Sequence, residues 1–454
     1  MTSGTLPLNT YHRASQIGSG TFGSVVTVYN EEGNQFALKI FLKEDEDDEE
    51  RSEILNLGAM REISILRLLR HENAHPNIIA MVDVQPGFCD DDTTGAGTAG
   101  CLGMTLPLYP LGSLELAISK RLLCTREMKI KVVHGLLSAV TYLHDNGIIH
   151  RDIKSDNILL EEDGDSYRPV LIDFSLAKIV DTAMYNKIKQ VSSVEIDDSV
   201  KHTGEVGTVT YTAPEIVAGE LYGAKSDIWS AGVVILELLQ DEVLAATKNK
   251  EAHRMIHAKL SSLPDQPFPN MLRGMLRIDQ TQRMSARDAL GHSVFSKFGL
   301  KVPHVKIVEP ATALPFEEKE DDDEFVEKEN GLPNRTPGAT KLKDTLRERR
   351  RKVLHRILNE LETRNHLTLQ AAMEYSHQML QLDDDLDNIS RSQTLLDCAI
   401  LAHRFFEIHV IDLHDLNETT KGSFANWKLE DYADNESTIF MIMDHCLFPR
   451  SAAY

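Results

Sequence analysis

The apolar pattern of this chain changes character twice, and those two changes restrict the architectures open to it. Residues 11 to 110 carry short strand-like runs, among them Ser24 to Tyr29 and Gln35 to Phe41. A helical pattern from Asn56 to Arg70 interrupts them and sets Ile63, Leu66 and Leu69 on one face. The expectation is a small sheet plus one helix. From Glu115 the spacing turns helical: Val132, Val133, Leu136, Leu137, Val140 and Leu143 share a face, and Ile228 to Leu239 forms another apolar helix. A Pro- and charge-rich segment, 301 to 340, then breaks the pattern with an acidic run from Glu317 to Glu329. Beyond it the chain is strongly helical. The pattern predicts a tail at 1–10, an α+β unit at 11–300 with a small β-sheet lobe and a mostly helical lobe, an acidic linker at 301–340, and an all-α bundle at 341–454. Two more stretches, Glu44 to Arg51 and Asp90 to Gly100, read as loops. There is no internal repeat.

Composition narrows the function classes. At 454 residues the chain exceeds the usual size of one hydrophobic core. No apolar run approaches the roughly 20 residues a membrane span needs. Met1 to Thr10 lacks a basic segment followed by an apolar core, so the expected location is cytoplasmic, nuclear or both, and the Asn-x-Ser sequon at Asn388 is incidental. Five cysteines, at 89, 101, 124, 398 and 446, form no CxxC pair, which argues against a zinc ribbon or a disulfide framework and for buried thiols. A net charge of −22 argues against nucleic-acid or anionic-membrane partners.

The chemistry-bearing motifs come in a fixed order. Ile17-Gly18-Ser19-Gly20-Thr21-Phe22-Gly23-Ser24-Val25 is a Gly-x-Gly-x-x-Gly loop, where missing Cβ atoms let backbone N–H groups approach phosphate oxygens. The β-prone Val25-Val26-Thr27-Val28 follows instead of a helix, which favours a flap over ATP to a dinucleotide-binding turn. Phe36-Ala37-Leu38-Lys39 puts a lysine on the next strand, and Glu62 falls on the following helix, placed to pair with it and hold Lys39 against phosphates. His150-Arg151-Asp152-Ile153-Lys154-Ser155-Asp156-Asn157 fits a loop in which Asp152 accepts a hydroxyl proton, Lys154 steadies a transferring phosphoryl group and Asn157 holds Mg²⁺. Asp173-Phe174-Ser175 follows a strand-like Pro169 to Ile172 and supplies a second Mg²⁺ ligand in Asp173; Ala213-Pro214-Glu215 closes the series.

Five motifs in this order and at these intervals resemble the protein kinase family throughout 11 to 300. The resemblance implies a bilobal kinase fold and ATP contacts from Ile17, Gly18, Gly20, Gly23, Val25, Ala37 and Lys39. It also implies that Leu106 gates the adenine pocket, with Pro107 to Tyr109 as hinge, that Glu215 pairs with Arg283, and that Asp227 braces the catalytic loop. Lys154 and Gly207-Thr208 look like the serine/threonine class.

Within that family, Ala59-Met60-Arg61-Glu62-Ile63-Ser64-Ile65-Leu66 is similar to the cyclin-binding helix of cyclin-dependent kinases, whose signature reads PSTAIREISLL. Thr203 to Glu215 aligns without gaps to that subfamily's T-loop, which puts Thr203 at the activating phosphorylation position for an upstream kinase. A phosphate there could be gathered by Arg61, Arg151 and Lys178. In the tail, three apolar faces resemble the first repeat of a cyclin box: Val353, Leu354, Ile357, Leu358 and Leu361; Ala371, Ala372, Tyr375, Met379 and Leu382; Leu395, Leu396, Ala399, Leu401, Ala402 and Phe405. Arg404 and Asp444 stand where cyclins carry their kinase-facing lysine and glutamate. The resemblance implies a kinase with its own cyclin-like module, acting on Ser/Thr protein substrates and docked by that module in cis or by a cyclin in trans. A linker of about 40 residues reaches roughly 35 Å, so docking in cis is allowed.

Departures limit what carries over. Ser175 stands where the family usually has glycine, which predicts a restricted backbone beside Asp173. Phe22 replaces the inhibitory tyrosine, leaving Thr21, while Thr212 and Gly207 depart from the proline-directed pattern. His71-Glu72-Asn73-Ala74-His75 spells HExxH, but Pro76 disfavours the helix that zinc chemistry would require. Arg347 to Lys352 is a basic run of the nuclear-import kind. The rival class is a pseudokinase scaffold with a helical dimerisation module; the presence of Lys39, Glu62, Asp152, Asn157 and Asp173 favours catalysis.

Overall fold

The computed structural model describes residues 11–20, 23–41, 57–69, 74–88, 101–179, 209–220 and 222–303, with helical positions at 354, 371–373, 375–376, 379, 394–402 and 439. Two compact units divide the chain, Met1–Ile307 and Val308–Tyr454.

The first unit begins with five strands, β1 (His12–Gly20), β2 (Gly23–Tyr29), β3 (Gln35–Phe41), β4 (Asp83–Phe88) and β5 (Cys101–Pro107), and helix α1 (Leu57–Leu69). They form an antiparallel sheet in the order β1-β2-β3-β5-β4. Alternating side chains Val26, Val28, Leu38 and Ile40 pack into one core, with Phe36 and Tyr11 edge to face beside it. Register fixes function here: Val25 lies opposite Lys39, and Ala37 opposite Leu106. Gly23 has φ +147, and a Cβ there would lie 1.9 Å from the Ile40 carbonyl oxygen, so only glycine lets β2 start so close to β3.

The helical lobe follows: α2 (Leu114–Ser119), α3 (Arg126–Asp145), α4 (Pro214–Val217), α5 (Ala224–Gln240), α6 (Asn249–Ser262), α7 (Pro267–Met275), α8 (Ala286–Leu290) and α9 (Ser293–Ser296). Thr125 caps α3 by accepting from the Met128 amide, and Ser285 and Asp288 close a capping box on α8. Helix α5 is buried along most of its length, enclosing Ile228, Trp229, Val233, Val234, Ile235, Leu236 and Leu238 together with the charged Asp227 and Glu237. Each of the apolar side chains contributes about 1.5–3 kcal/mol of burial free energy. A Cβ on Gly232 would meet Leu276 at 2.8 Å, which is how closely α5 and the end of α7 approach. Strand β6 (Ile148–Ile149) pairs antiparallel with β9 (Lys178–Ile179), and β7 (Ile158–Asp163) with β8 (Ser166–Leu171) forms a hairpin in the chain between them.

The discounted HExxH reading stays discounted, and one cysteine expectation is corrected. Helix α1 ends at Leu69, and His75 lies outside it with Nε2 3.0 Å from Ser138 Oγ, so the HExxH string is no helical metal motif. Burial lowers the His75 pKa to about 4. Cys124 is exposed rather than a buried thiol, whereas Cys398 is buried. Helices in the second unit cover the described positions: Leu354, Ala371, Ala372, Tyr375, Leu396, Ala399, Leu401 and Ala402 are buried, and Met379 and Leu395 half-buried. Val353, Ile357, Leu358, Leu361, Leu382, Arg404, Phe405 and Asp444 lie outside the described residues, as do the three acidic or Gly-rich runs, Thr21, Phe22, Thr203, Gly207, Thr208 and Arg347 to Lys352. No helix among the described residues is long and apolar enough to cross a membrane.

Candidate active site

Strand β3 and helix α1 bring the first pair together. Lys39 Nζ lies 2.7 Å from Glu62 Oε2 and 3.1 Å from Asp173 Oδ1, and packs 5.3 Å from the Phe41 ring centre. Burial opposes the ammonium, but the Glu62 and Asp173 carboxylates outweigh it and raise the Lys39 pKa. Glu62 Oε1 also accepts from the Phe174 amide at 3.3 Å, so α1 is tied to the segment that carries Asp173.

The catalytic-loop residues hang from α5. Asp227, fully buried, accepts from the His150 and Arg151 amides at 2.9 and 2.8 Å and lies 2.9 Å from His144 Nε2. Burial works against its charge; the His144 contact and these amides overcome that and lower its pKa. Arg151 adopts φ 67 and donates from Nε to the Leu176 carbonyl at 2.6 Å. Asp152 Oδ2 receives Lys154 Nζ at 2.9 Å and Asn157 Nδ2 at 2.8 Å, and the same amide nitrogen reaches the Asp152 carbonyl at 2.9 Å. Among the described residues no bond reaches Asp152 Oδ1.

Asp173 joins the two halves. His150 Nε2 donates to the Ile172 carbonyl at 3.0 Å, the His150 ring meets Phe174 edge-on at 4.8 Å, and Ile172 N donates to the Asn157 carbonyl at 3.0 Å. Burial opposes ionisation of Asp173, yet the Lys39 charge and the bonds from Ser175 and Lys39 hold its pKa down at about 2. The backbone at Ser175 accommodates its side chain. The left-handed residue is Asp173 itself, with φ 62, and Ser175 is not among the positive-φ residues described, so a side chain fits there.

The remaining site residues fall where the sequence placed them. Ile17, Gly18 and Gly20 lie on β1 and Gly23 and Val25 on β2, a hairpin rather than a strand–helix turn. Leu106 and Pro107 end β5 opposite Ala37 and Phe36, and Tyr109 is half-buried just beyond. Glu215 and Arg283 form a buried bidentate pair at 2.6 and 2.8 Å. Sequence reasoning missed a second network: Tyr211 donates to Glu237 Oε1 at 2.9 Å, lies 2.9 Å from Ser155 Oγ, and sits beside Thr210, whose Oγ1 accepts from the Ala246 amide. The lone charge in Val-Val-Ile-Leu-Glu237-Leu-Leu was its available signal. His253 was also missed; its Nε2 donates to the Thr212 carbonyl at 3.0 Å.

The donor set suits a hard divalent cation. Asn157 spends its amide nitrogen on Asp152 and Asp173 spends Oδ1 on Lys39 and Ser175, so each keeps one side-chain oxygen without a partner among the described residues. Nearby Lys39 and the glycine hairpin suit a phosphate chain.

Residues 11–295 match the family described as the protein kinase domain. The chain is 28% identical over 330 residues to cyclin-dependent kinase 9-A of Xenopus laevis, covering 69% of this chain and 80% of that protein. Cyclin-dependent kinase 9 of Homo sapiens is 27% identical over 337 residues, with the same shares covered. The CBL-interacting serine/threonine-protein kinase 19 of Arabidopsis thaliana is 33% identical over 240 residues, 52% of this chain and 41% of that protein. With the paired lysine, the braced loop and these relatives in agreement, the chain belongs to the protein kinase family as a serine/threonine protein kinase.

Proposed function

We propose that this kinase is of the cyclin-dependent type, active in ATP·Mg phosphotransfer and regulated through α1 by a cyclin-like partner and through Thr203. The observation that carries the catalytic reading is the meeting of Lys39, Glu62 and Asp173 within 3.1 Å. Family membership implies that ATP supplies the γ-phosphoryl group and Mg²⁺ offsets its charge as it moves. Ile17, Gly18, Gly20, Gly23, Val25, Ala37, Pro107 and Tyr109 hold the nucleotide, and Lys39, held by Glu62, takes the phosphate chain. Asn157 and Asp173 provide the metal ligands. Asp152 accepts the proton of a substrate Ser or Thr hydroxyl through Oδ1, while Lys154 neutralises charge on the transferring group.

Three observations support the regulatory part. Helix α1 carries Arg61, Glu62 and Arg67 among its apolar residues, and none of its 13 residues is exposed, although a helix beside a sheet needs only one buried face. The alignments to the cyclin-dependent kinases cover 69% of this chain and 80% of each relative. The described tail positions, among them Leu354, Ala371, Tyr375 and Leu396 to Ala402, are helical and mostly buried, which is compatible with the cyclin-like reading of the sequence. Docking on α1 would set Glu62 toward Lys39, by the tail in cis or by a cyclin in trans.

Radiolabelled phosphate transfer to a basic protein tests this with the full chain, residues 1–307, and Asp152→Asn in each. Activity in the full chain should fall by about 10²–10⁴ with Asp152→Asn and drop strongly on truncation. If the full chain transfers nothing even with Thr203 phosphorylated, the scaffold reading replaces this one. If truncation leaves the rate unchanged, the tail has no activating role.

A further inference from the structure

Asp173 Oδ1 is a crowded atom. Ser175 Oγ donates to it at 2.7 Å, Lys39 Nζ at 3.1 Å and the Ser175 amide at 3.4 Å. An aspartate commonly closes a turn by accepting from the amide two residues on, but 3.4 Å is the outer limit of such a bond. The hydroxyl therefore closes this turn, and the amide contributes little. Ser175 is 2% exposed, so bulk water does not readily replace its side chain. Asp173 meanwhile holds φ 62, a conformation that needs local bonds to persist. No bond among the described residues reaches Asp173 Oδ2.

The geometry points to Ser175 as a positioning residue of the metal site: its hydroxyl, with Lys39, fixes Asp173 Oδ1 and so leaves Oδ2 as the oxygen offered to a divalent cation alongside Asn157. This rests on the phosphotransfer reading above. The glycine usual in the family would leave Oδ1 with Lys39 and the long amide contact alone, without the short hydroxyl bond that closes the turn. The terminal torsion of an aspartate is soft, and without the hydroxyl the carboxylate can turn and present either oxygen. A partner that orients a ligating carboxylate is typically worth about tenfold or more in metal affinity. In this chain the side chain at 175 is a built part of the site.

The test uses the full chain saturated with a non-hydrolysable ATP analogue and titrated with Mn²⁺, whose binding electron paramagnetic resonance reads directly. Wild type is compared with Ser175→Ala, Ser175→Gly and Ser175→Thr, with melting temperature and metal-free analogue binding measured in parallel. Alanine and glycine should each weaken Mn²⁺ by roughly tenfold while melting and metal-free binding hold, and threonine, which keeps the hydroxyl, should restore affinity. In turnover the same loss appears as a higher Mg²⁺ requirement with kcat recovered at saturating Mg²⁺. Mn²⁺ affinities within about twofold of wild type in both alanine and glycine overturn the positioning role and leave the kinase reading intact. An equal loss of metal-free analogue binding, or a folded threonine variant as weak as alanine, also overturns it. A wild-type chain that binds no Mn²⁺ with the analogue defeats the phosphotransfer reading and this inference together.

Discussion

Glu237 gives a prediction whose sign and size both follow from its surroundings. It lies fully buried in α5, accepts from Tyr211 and from the Leu244 amide through Oε1, and keeps Oε2 buried without a partner among the described residues. Burial pushes its pKa from 4.5 up to about 7, against the Leu244, Tyr211 and Ser155 bonds, and the Glu115 charge pushes the same way. The folded chain therefore holds this proton more tightly than the unfolded chain does. Stability from this residue is intact below 4.5, declines as pH rises toward 7, and stays reduced above it. The gap between 4.5 and about 7 corresponds to roughly 3 kcal/mol. Glu237→Gln keeps the shape and the Oε1 acceptor but cannot ionise, while its buried amide N–H₂ lacks a partner at a cost of about 1–3 kcal/mol. Relative to wild type, the variant should gain roughly 3 kcal/mol between pH 5 and pH 8. For a domain of this size that is a relative shift of about 6–12 °C in Tm, measured by scanning fluorimetry at pH 5, 6, 7 and 8. Parallel melting profiles for variant and wild type would refute the reasoning.

Arg283→Met should destabilise the kinase domain by about 3–5 kcal/mol in denaturant titration, because it strands buried Glu215 and three carbonyls, those of Lys225, Arg277 and Ile278. A loss under about 1 kcal/mol would show that the pair is not held as described. Lys39→Met and Glu62→Gln should each lower kcat by at least about 100-fold with Tm little changed, since they touch the site more than the core; unchanged turnover in either would remove the pair from catalysis. Asp227→Asn places an N–H₂ where N–H donors converge, and kcat should drop by roughly 100-fold from misplacement of the loop. Wild-type Asp227, with its lowered pKa, contributes stability present above the ordinary aspartate value and lost as pH falls through the folded one, so the acid limb of a pH melt should flatten in the variant.

Local signals were the legible ones. Strands β2 and β3 and helix α1 fall within a residue of their sequence bounds, because alternation and 3.6-residue spacing are written in neighbouring side chains. Lys39, Glu62, Asp152, Asn157 and Asp173 could be read from motif chemistry, and the fold brings them together. The network of Ser155, Tyr211 and Glu237 was hidden, since its members stand 56 and 26 residues from Tyr211 and no period links them. At Ser175 the sequence showed a missing glycine but not the bond its side chain makes: the left-handed residue is Asp173, two positions earlier, and the Ser175 hydroxyl reaches its carboxylate.

Asp227 has a consequence for how such a kinase can diverge. The backbone of the loop bearing Asp152 ends on a carboxylate of the most buried helix in the lobe, so Asp152 cannot shift without disturbing the core. Residues 209–213 hang from the same lobe by side-chain threads: Thr210 to Ala246, Tyr211 to Glu237, and the Thr212 carbonyl to His253. Tyr211 also lies 2.9 Å from Ser155 Oγ, in the loop that bears Asp152, so one phenol joins that loop, residues 209–213 and the buried carboxylate of Glu237. Divergence at Tyr211 is therefore felt in all three at once, and the two loops are constrained to change together.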